Sequence, residues 1–285
     1  MMAGPHPRRR AGTPHVPTAI EERMAEQSHP YAEELALANE LADLAAEVAV
    51  EVYGREFEVR RKADLTPVTE ADLRIEGLVR DRILERFPGD AVLGEEGGLQ
   101  GPGDGGRRWV VDPIDGTKNF AARIQIWATL IALAVDGRPV LGVIEAPLLG
   151  ERYEAVQGQG ARLNGRPIHV SDVERVPEAL VSTAGTGAWL GGPNERAFLS
   201  LAAEAERVRG FGDFWGHMLV ARGAADVMLE TALRTWDWAA LAVIVEEAGG
   251  RCTQLDGSPL ADGASVLSAN PALHAQLVAR FRGDA

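Results

Sequence analysis

The chain has 285 residues, a formal net charge of −13, and 46% apolar and 25% charged residues, as in globular proteins with one large or two modest cores. The acidic balance argues against nucleic acid as a partner, since phosphate backbones attract basic surfaces, and it suits cations. We recognise no signal peptide and no apolar run near the roughly 20 residues of a membrane span, and the lone Cys252 excludes an internal disulfide, so we expect a cytoplasmic protein.

The first segment, residues 1–28, is predicted to be a disordered N-terminal extension. It is rich in Pro, Arg and Ala and shows no apolar periodicity. Met24 within it is an alternative start of translation. Residues 31–53 then repeat apolar side chains at helical spacing, and Gly54 ends the predicted helix.

A second helix is predicted from the N-cap Thr69 to about Phe87. Its inward residues are expected to be Ile75, Leu78, Val79 and Ile83. Asp72 lies in its first turn, where the helix dipole favours a carboxylate without any catalytic role. On its position alone, Asp72 is therefore interpreted as a structural residue of the helix start.

Two acidic stretches follow, each after an apolar run that predicts a buried strand. The first is Leu93-Gly94-Glu95-Glu96-Gly97-Gly98, and it precedes a Gly-rich loop at residues 99–106. The second begins at Trp109 and ends its strand on Asp112 and Asp115, three positions apart. An Asp before Pro and an Asp before Gly are also ordinary turn formers, so this spacing alone does not define a site.

The residues after these acids indicate a ligand. Pro113 makes the chain leave the sheet, and Gly116 permits a close approach of whatever binds. Thr117 and Asn119 begin a predicted helix or turn whose free amides point back towards the acids. Carboxylates beside such amides suit a divalent cation that carries a phosphate.

The remaining elements predict sheets covered by helices, because strands and helices alternate in the second half of the chain. Residues 127–135 and 138–145 form a predicted hairpin around Asp136-Gly137. Further predicted strands lie at residues 151–156 and 161–170, near residue 180, and at 208–210 and 227–230, with helices at 195–206, 214–222 and 236–248.

Three stretches, in this order, resemble the signature of the inositol monophosphatase family of magnesium-dependent, lithium-sensitive phosphatases. They are the acidic pair after Gly94, the run Asp112-Pro113-Ile114-Asp115-Gly116-Thr117, and Trp236-Asp237 in a helix that closes at Gly249-Gly250. The resemblance runs from about Tyr31 to the C-terminus. It implies an α/β (α+β) fold, a layered α/β/α/β/α sandwich of the inositol monophosphatase and fructose-1,6-bisphosphatase type, in a homodimer.

The resemblance places a domain boundary near Pro147. Residues 29–147 would carry most metal ligands, and residues 148–285 would carry the substrate-recognition residues and the last metal ligand. The expected ligands are the carboxylates of Glu95, Asp112, Asp115 and Asp237 and the carbonyl of Ile114. Such hard oxygen donors select two or three Mg²⁺ ions, with Mn²⁺ as the alternative, whereas the six scattered histidines argue against zinc.

By the same resemblance, Asp72, Thr117 and Glu95 are the expected catalytic residues. Asp72 would hydrogen-bond Thr117, which orients a metal-activated water for direct attack on the phosphate. The amides of Gly116 and Thr117 would hold phosphate oxygens, and Glu70 would lie close to the metals. The full expected substrate-binding set is Glu70, Gly116, Thr117, Lys118, Arg209, Asp213, Glu230 and Asp237.

Lys118, residues 207–215 and the run Trp127-Ala128-Thr129-Leu130 look like the histidinol-phosphatase branch of that family. Asp213 and Glu230 are candidate partners for the cationic groups of histidinol phosphate. Phe214 and Trp215 either stack on its ring or pack their helix, and we expect His217 to be a satisfied core residue rather than a ligand.

Other functions stay open at this point. An inositol-1-phosphate or broad-specificity sugar monophosphatase is the first alternative. A bisphosphate-specific 3′-nucleotidase would need further basic groups to bind the second phosphate, and Lys118 and Arg209 are the only obvious ones. A catalytically silent protein that binds metal and phosphate belongs to a different class, and it has no need of the complete set of site residues.

Overall fold

The computed structural model describes residues 30–62, 65–102 and 106–283; the expected disordered extension and Met24 lie outside these ranges. The helices are α1 (Ala32–Tyr53), α2 (Glu70–Arg86), α3 (Thr117–Ala121), α4 (Glu195–Glu204), α5 (Asp213–Ala221), α6 (Thr235–Glu247) and α7 (Pro271–Arg282), with 3₁₀ turns at Val176–Glu178 and Thr186–Ala188. Among the described residues, no helix is long and apolar enough to cross a bilayer.

The strands are β1 (Val59–Arg61), β2 (Pro67–Thr69), β3 (Ala91–Gly94), β4 (Gly98–Gln100), β5 (Arg107–Asp115), β6 (Ala128–Val135), β7 (Arg138–Ala146), β8 (Glu151–Val156), β9 (Ala161–Leu163), β10 (Arg166–Ile168), β11 (Leu180–Thr183), β12 (Arg207–Arg209), β13 (Val227–Leu233), β14 (Arg251–Thr253) and β15 (Ala264–Ala269). β1 and β2 pair with each other alone. β4 lies where a loop was expected, since Gly98 turns the chain back on β3.

The two N-terminal helices form as their patterns predict. α1 ends at Gly54, and Thr69 caps α2 by accepting the Ala71 amide at 3.2 Å. Ile75, Val79 and Ile83 are buried as expected, but Leu78 is 40% exposed. The prediction for Leu78 was wrong because this residue lies at the edge of the apolar stripe that the steps of four define.

The larger sheet has eight strands in the order β10-β9-β8-β7-β6-β5-β3-β4. β3 and β5 are parallel, and all other neighbours are antiparallel, including the predicted hairpin of β6 and β7. The expected boundary near Pro147 falls inside this sheet, because β7 and β8 pair across it. The chain passes from the larger to the smaller sheet only between Ile168 and Leu180.

The smaller sheet has five strands in the order β12-β11-β13-β15-β14. Hydrophobic cores separate the layers: α1 and α2 pack on one face of the larger sheet, α5 and α6 lie between the two sheets, and α4 and α7 cover the smaller sheet. This succession is the α/β/α/β/α sandwich that the sequence predicts.

The contact between α6 and the larger sheet depends on Gly142 in β7. A Cβ at this position would lie 2.7 Å from the carbonyl oxygen of Ala240 in α6. We expect Gly142→Ala to lower the free energy of unfolding by about 1–3 kcal/mol, because an added methyl group must push helix and sheet apart. Gly89→Ala is the matched control, since a Cβ there meets nothing within 4 Å. Denaturant unfolding measures both, and equal stability of the two variants would contradict the prediction.

Candidate active site

An irregularity in β5 brings two carboxylates to one side of the sheet. Residues three positions apart point to opposite faces of a regular strand. Asp112 and Asp115, however, pair with residues that are only two positions apart on β6, so the strand contains a bulge. The buried hydroxyl of Thr129 fixes this bulge by donating to the Pro113 carbonyl at 2.8 Å.

Glu95 emerges beside these acids because β3 and β5 are parallel neighbours, with Gly94 opposite Val111. The backbone N–H of Glu95 continues the ladder by donating to the Val111 carbonyl at 3.3 Å. Two strand ends therefore deliver three carboxylates to the same edge, as the sequence predicts.

Asp72 and Asp237 arrive from the first turns of two helices, where each caps its own helix with one oxygen. Asp72 Oδ2 accepts the backbone N–H and the hydroxyl of Thr69 at 2.8 and 2.6 Å. Asp237 Oδ2 accepts the backbone N–H of Arg234 at 2.7 Å. Oδ1 of Asp72 is buried and has no hydrogen-bond partner among the described residues.

The acids form a cluster in which Asp112, Asp115 and Asp237 each offer an oxygen within 4.8 Å of the others. Burial raises the pKa of Asp112 well above its usual value, and the negative charges of Glu95 and Asp115 raise it further. Burial likewise raises the pKa of Asp115 well above its usual value, that of Asp237 to about 7, and that of Asp72 to about 6. A cation at the centre of the cluster would therefore stabilise the ionised form of each carboxylate.

These donors fit a hard divalent cation. The ligand atoms are carboxylate oxygens, which Mg²⁺ and Ca²⁺ prefer, and they converge from β5 and the start of α6 on one point, where Asp112 is buried and Asp115 and Asp237 are half-buried.

Lys62 supplies positive charge at the edge of this cluster. Its Nζ lies 2.7 Å from Oε1 of Glu95 and 2.5 Å from Oε1 of Glu96. Burial opposes a charged lysine, but the two carboxylates outweigh it and raise the pKa of Lys62. Burial still raises the pKa of Glu96 to about 7 in spite of this partner.

The turn that carries Glu95 is anchored by Glu76 of α2, which the sequence analysis did not single out. Glu76 is 3% exposed, and its oxygens accept the backbone amides of Glu96 and Gly97, each at 2.6 Å. Gly94 leaves room for this carboxylate, because a Cβ there would lie 2.3 Å from Glu76 Cδ. The signal that could have found Glu76 is a charged residue inside the apolar face of α2.

The expected hydrogen bond between Asp72 and Thr117 is not present. Asp72 bonds Thr69 in its capping box, and the hydroxyl of Thr117 donates to the Ile114 carbonyl at 2.9 Å. The carbonyl oxygen of Ile114, which was expected to be a metal ligand, thus accepts a hydrogen bond from its own turn. Gly116 has the left-handed φ of +81° that favours glycine, and a Cβ there would lie 3.1 Å from the Ile126 carbonyl.

A second pair of acids, Asp213 and Glu230, borders the first cluster. Burial, then the charge of Glu230, raises the pKa of Asp213 to about 6, whereas Lys118 lowers it. Asp213 and Glu230 in turn raise the pKa of Asp115. The two groups of carboxylates therefore share one electrostatic environment.

Asn119, another residue that the sequence analysis did not assign, holds Asp213 in place. Its side-chain amide donates to Asp213 Oδ2 at 3.0 Å and to the Ile126 carbonyl at 2.9 Å. The next amide along α5, that of Phe214, donates to Asp115 Oδ2 at 2.6 Å. The Phe214 side chain is buried in the core, which favours packing over substrate stacking.

Two expected substrate-binding residues point elsewhere. The Glu70 carboxylate pairs with Arg55 and lies 3.8 Å from Arg74, on the exposed face of α2. Glu70 lies two positions before Asp72 in the helix, so their side chains point in directions about 200° apart around the helix axis. Arg209 is exposed on the edge strand β12 and donates to the Val208 carbonyl at 2.9 Å.

The pattern of the inositol monophosphatase family matches residues 31–283. The chain belongs to this family. A histidinol-phosphatase of Chlorobaculum parvum is 42% identical over 248 residues, which cover 86% of this chain and 95% of the relative. A histidinol-phosphatase of Mycobacterium tuberculosis is 42% identical over 255 residues, which cover 87% of this chain and 98% of that relative.

A solved inositol monophosphatase from Anabaena has a TM-score of 0.79 and 30% identity, and the match covers 90% of this chain and 97% of that chain. As a member of the inositol monophosphatase family with these relatives, the chain is a phosphoric monoester hydrolase. The family is metal-dependent, in agreement with the acidic cluster.

We expect the metal-free protein to lose stability as the pH rises from about 4 to about 7. The Asp237 carboxyl has an ordinary pKa of 3.8 and a pKa of about 7 in the folded state. In this interval the native state binds more protons than the unfolded state, so the free energy of unfolding falls with rising pH. Unfolding in EDTA measures this slope.

Asp237→Asn should flatten that slope, whereas Asp81→Asn, at a carboxylate that is 78% exposed, should leave it unchanged. A stability that increases over the same pH range would contradict the raised pKa values.

Asp112→Asn should weaken binding of Mg²⁺ at least tenfold while the fold persists, because the variant keeps the side-chain shape and removes one ligand charge. Isothermal titration calorimetry measures the affinity, and circular dichroism checks the fold. Asp81→Asn again serves as the control, and affinity equal to that of the wild type would remove Asp112 from the metal site.

Proposed function

We propose that the protein is a Mg²⁺-dependent phosphatase that hydrolyses histidinol phosphate to histidinol and phosphate. The observation that carries this proposal is the second acidic pair, Asp213 and Glu230, beside the metal cluster. The two relatives named histidinol-phosphatase support it.

A second acidic pair is unfavourable for an anionic substrate unless the substrate also carries positive charge. Histidinol phosphate has an ammonium group and an imidazole next to its phosphate ester. With the phosphate at the metal cluster, Asp213 and Glu230 would face these groups as charge-assisted hydrogen-bond acceptors. Asn119 orients Asp213 for this contact.

In this proposal Glu95, Asp112, Asp115 and Asp237, with the Ile114 carbonyl, would hold two or three Mg²⁺ ions. When bound, the ions neutralise phosphate charge, lower the pKa of water and stabilise the leaving oxygen. The carboxylates themselves need no covalent role.

The side chains and backbone amides of the site would orient the attacking water and the phosphate. Oδ1 of Asp72, buried and without a partner among the described residues, is an acceptor for the attacking water. The Thr117 hydroxyl would turn from the Ile114 carbonyl to bond the same water, and the amides of Gly116 and Thr117 would bind phosphate oxygens.

An inositol-1-phosphate or broad-specificity sugar phosphatase is the second candidate. The structural similarity to the Anabaena inositol monophosphatase favours it. Its substrate carries no cationic group and would leave Asp213 and Glu230 without a positive partner, which is the reason that we place it second. The homodimer and the cytoplasmic location stay predictions from the sequence.

The test compares histidinol phosphate, inositol 1-phosphate and fructose 1,6-bisphosphate with Mg²⁺, in the wild type and in Asp213→Asn. Asparagine still accepts from Asn119 and tolerates the left-handed φ of +55° at this position, so only the charge changes. We expect kcat/KM for histidinol phosphate to fall about 10- to 100-fold, as for the loss of a charge-assisted hydrogen bond.

Inositol 1-phosphate is the internal control for metal binding and folding, and its hydrolysis should stay unchanged or improve. Equal losses on both substrates would make Asp213 a scaffold residue. A wild-type preference for inositol 1-phosphate would overturn the histidinol-phosphate proposal.

A further inference from the structure

A buried row of polar groups lies behind Glu230. His217 of α5 is completely buried, and its Nδ1 lies 2.8 Å from the hydroxyl of Ser268 in β15. That hydroxyl lies 3.3 Å from the thiol of Cys252 in β14. On the other side of the ring, His217 Nε2 lies 3.5 Å from Glu230 Oε2.

Both atoms of this last contact lack a hydrogen bond to any described residue, although both are buried. His217 was expected to be a satisfied core residue, but only its Nδ1 has a hydrogen-bond partner among the described residues. The Glu230 side chain is 14% exposed, and its charge acts on Asp213, Asp115 and Asp237. Glu230 therefore reaches the site while one of its oxygens faces the protein interior.

With a neutral His217 ring, the hydrogen bonds along this row can run in two directions. In one, Nδ1–H donates to Ser268 and the serine donates to Cys252, so a bare Nε2 faces the Glu230 carboxylate. Two buried acceptors then oppose each other, which is unfavourable. In the other, the Cys252 thiol donates to Ser268, the serine donates to Nδ1, and Nε2–H faces Glu230. With a neutral ring, only the second direction gives the inner oxygen of Glu230 a donor.

We infer that His217 is a positioning residue for substrate specificity. A small rotation brings Nε2–H into hydrogen-bond range of Glu230 Oε2, and this bond fixes the carboxylate so that Oε1 faces the cationic part of the substrate. Ser268 and Cys252 hold the required tautomer. The role in specificity rests on the proposed function, because it requires a substrate with a cationic group. The tautomer of His217 does not depend on which substrate the enzyme prefers.

The tautomer is measured first, by long-range ¹H–¹⁵N spectra of the full chain labelled at histidine nitrogens. His217→Gln identifies the ring by the signals that disappear. We expect a proton on Nε2 of His217 in the wild type, and an Nδ1 resonance that shifts in Ser268→Ala. A neutral ring with its proton on Nδ1 overturns the inference, whichever substrate the enzyme prefers.

The kinetic test uses the ratio of kcat/KM for histidinol phosphate to that for inositol 1-phosphate. His217→Met removes both ring nitrogens, and we expect this ratio to fall about tenfold, mainly through a higher KM for histidinol phosphate. His217→Gln keeps an N–H donor and should recover part of the ratio. In a Glu230→Gln background, His217→Met should have no further effect.

His274→Gln is the matched control, because its Nε2 lies 2.8 Å from the Thr253 hydroxyl on the far side of the smaller sheet. It should leave the ratio unchanged. A ratio that stays constant in His217→Met, or that still falls in the Glu230→Gln background, overturns the positioning role. A wild type that prefers inositol 1-phosphate refutes the proposed function instead and leaves the tautomer result intact. If His217→Met does not fold, His217→Gln and the spectra decide.

Discussion

The mutual repulsion of buried carboxylates is the interaction on which this structure depends. Asp112, Asp115 and Asp237 bring oxygens within 4.8 Å of one another; Asp112 is buried and the other two are half-buried, so water screens their charges only in part. The scaffold tolerates this because backbone geometry fixes each acid: a bulge in β5 for the first two, and a helix start for the third. The unfavourable charge density that results is the property that attracts divalent cations.

In and around this cluster, most acids use one carboxylate oxygen for a hydrogen bond to the protein scaffold, and the other oxygen is left for the site. Asp115 accepts the Phe214 amide, Asp213 accepts Asn119, and Asp72 accepts Thr69, each through Oδ2. Glu230 follows the same rule if His217 is its donor. The arrangement ties the acidic cluster and the pair Asp213 and Glu230 into one network, because α5 supplies the Phe214 amide to the first and Asp213 to the second.

The layered fold and the ligand set were predicted from the resemblance to the inositol monophosphatase family, and the positions of Glu95, Asp115 and Asp237 at strand ends and at a helix start agree with their convergence. The sequence could not predict the bulge, because this depends on the register of β6 against β5. Glu76 was missed because only the folded turn of Glu95 shows what it binds. The C-terminal helix α7 also received no prediction, although Asn270 before Pro271 is a typical helix start and does cap it.

The capping of helices by Asp72 and Asp237 has an evolutionary consequence. An asparagine in either position retains a carbonyl oxygen that accepts the same backbone N–H, so α2 and α6 keep their first turns. A single base change converts an aspartate codon into an asparagine codon. Under the roles proposed for Asp72 and Asp237, descendants of this fold would lose their chemistry in one mutational step without losing their architecture, and they would then remain available for selection as binding proteins.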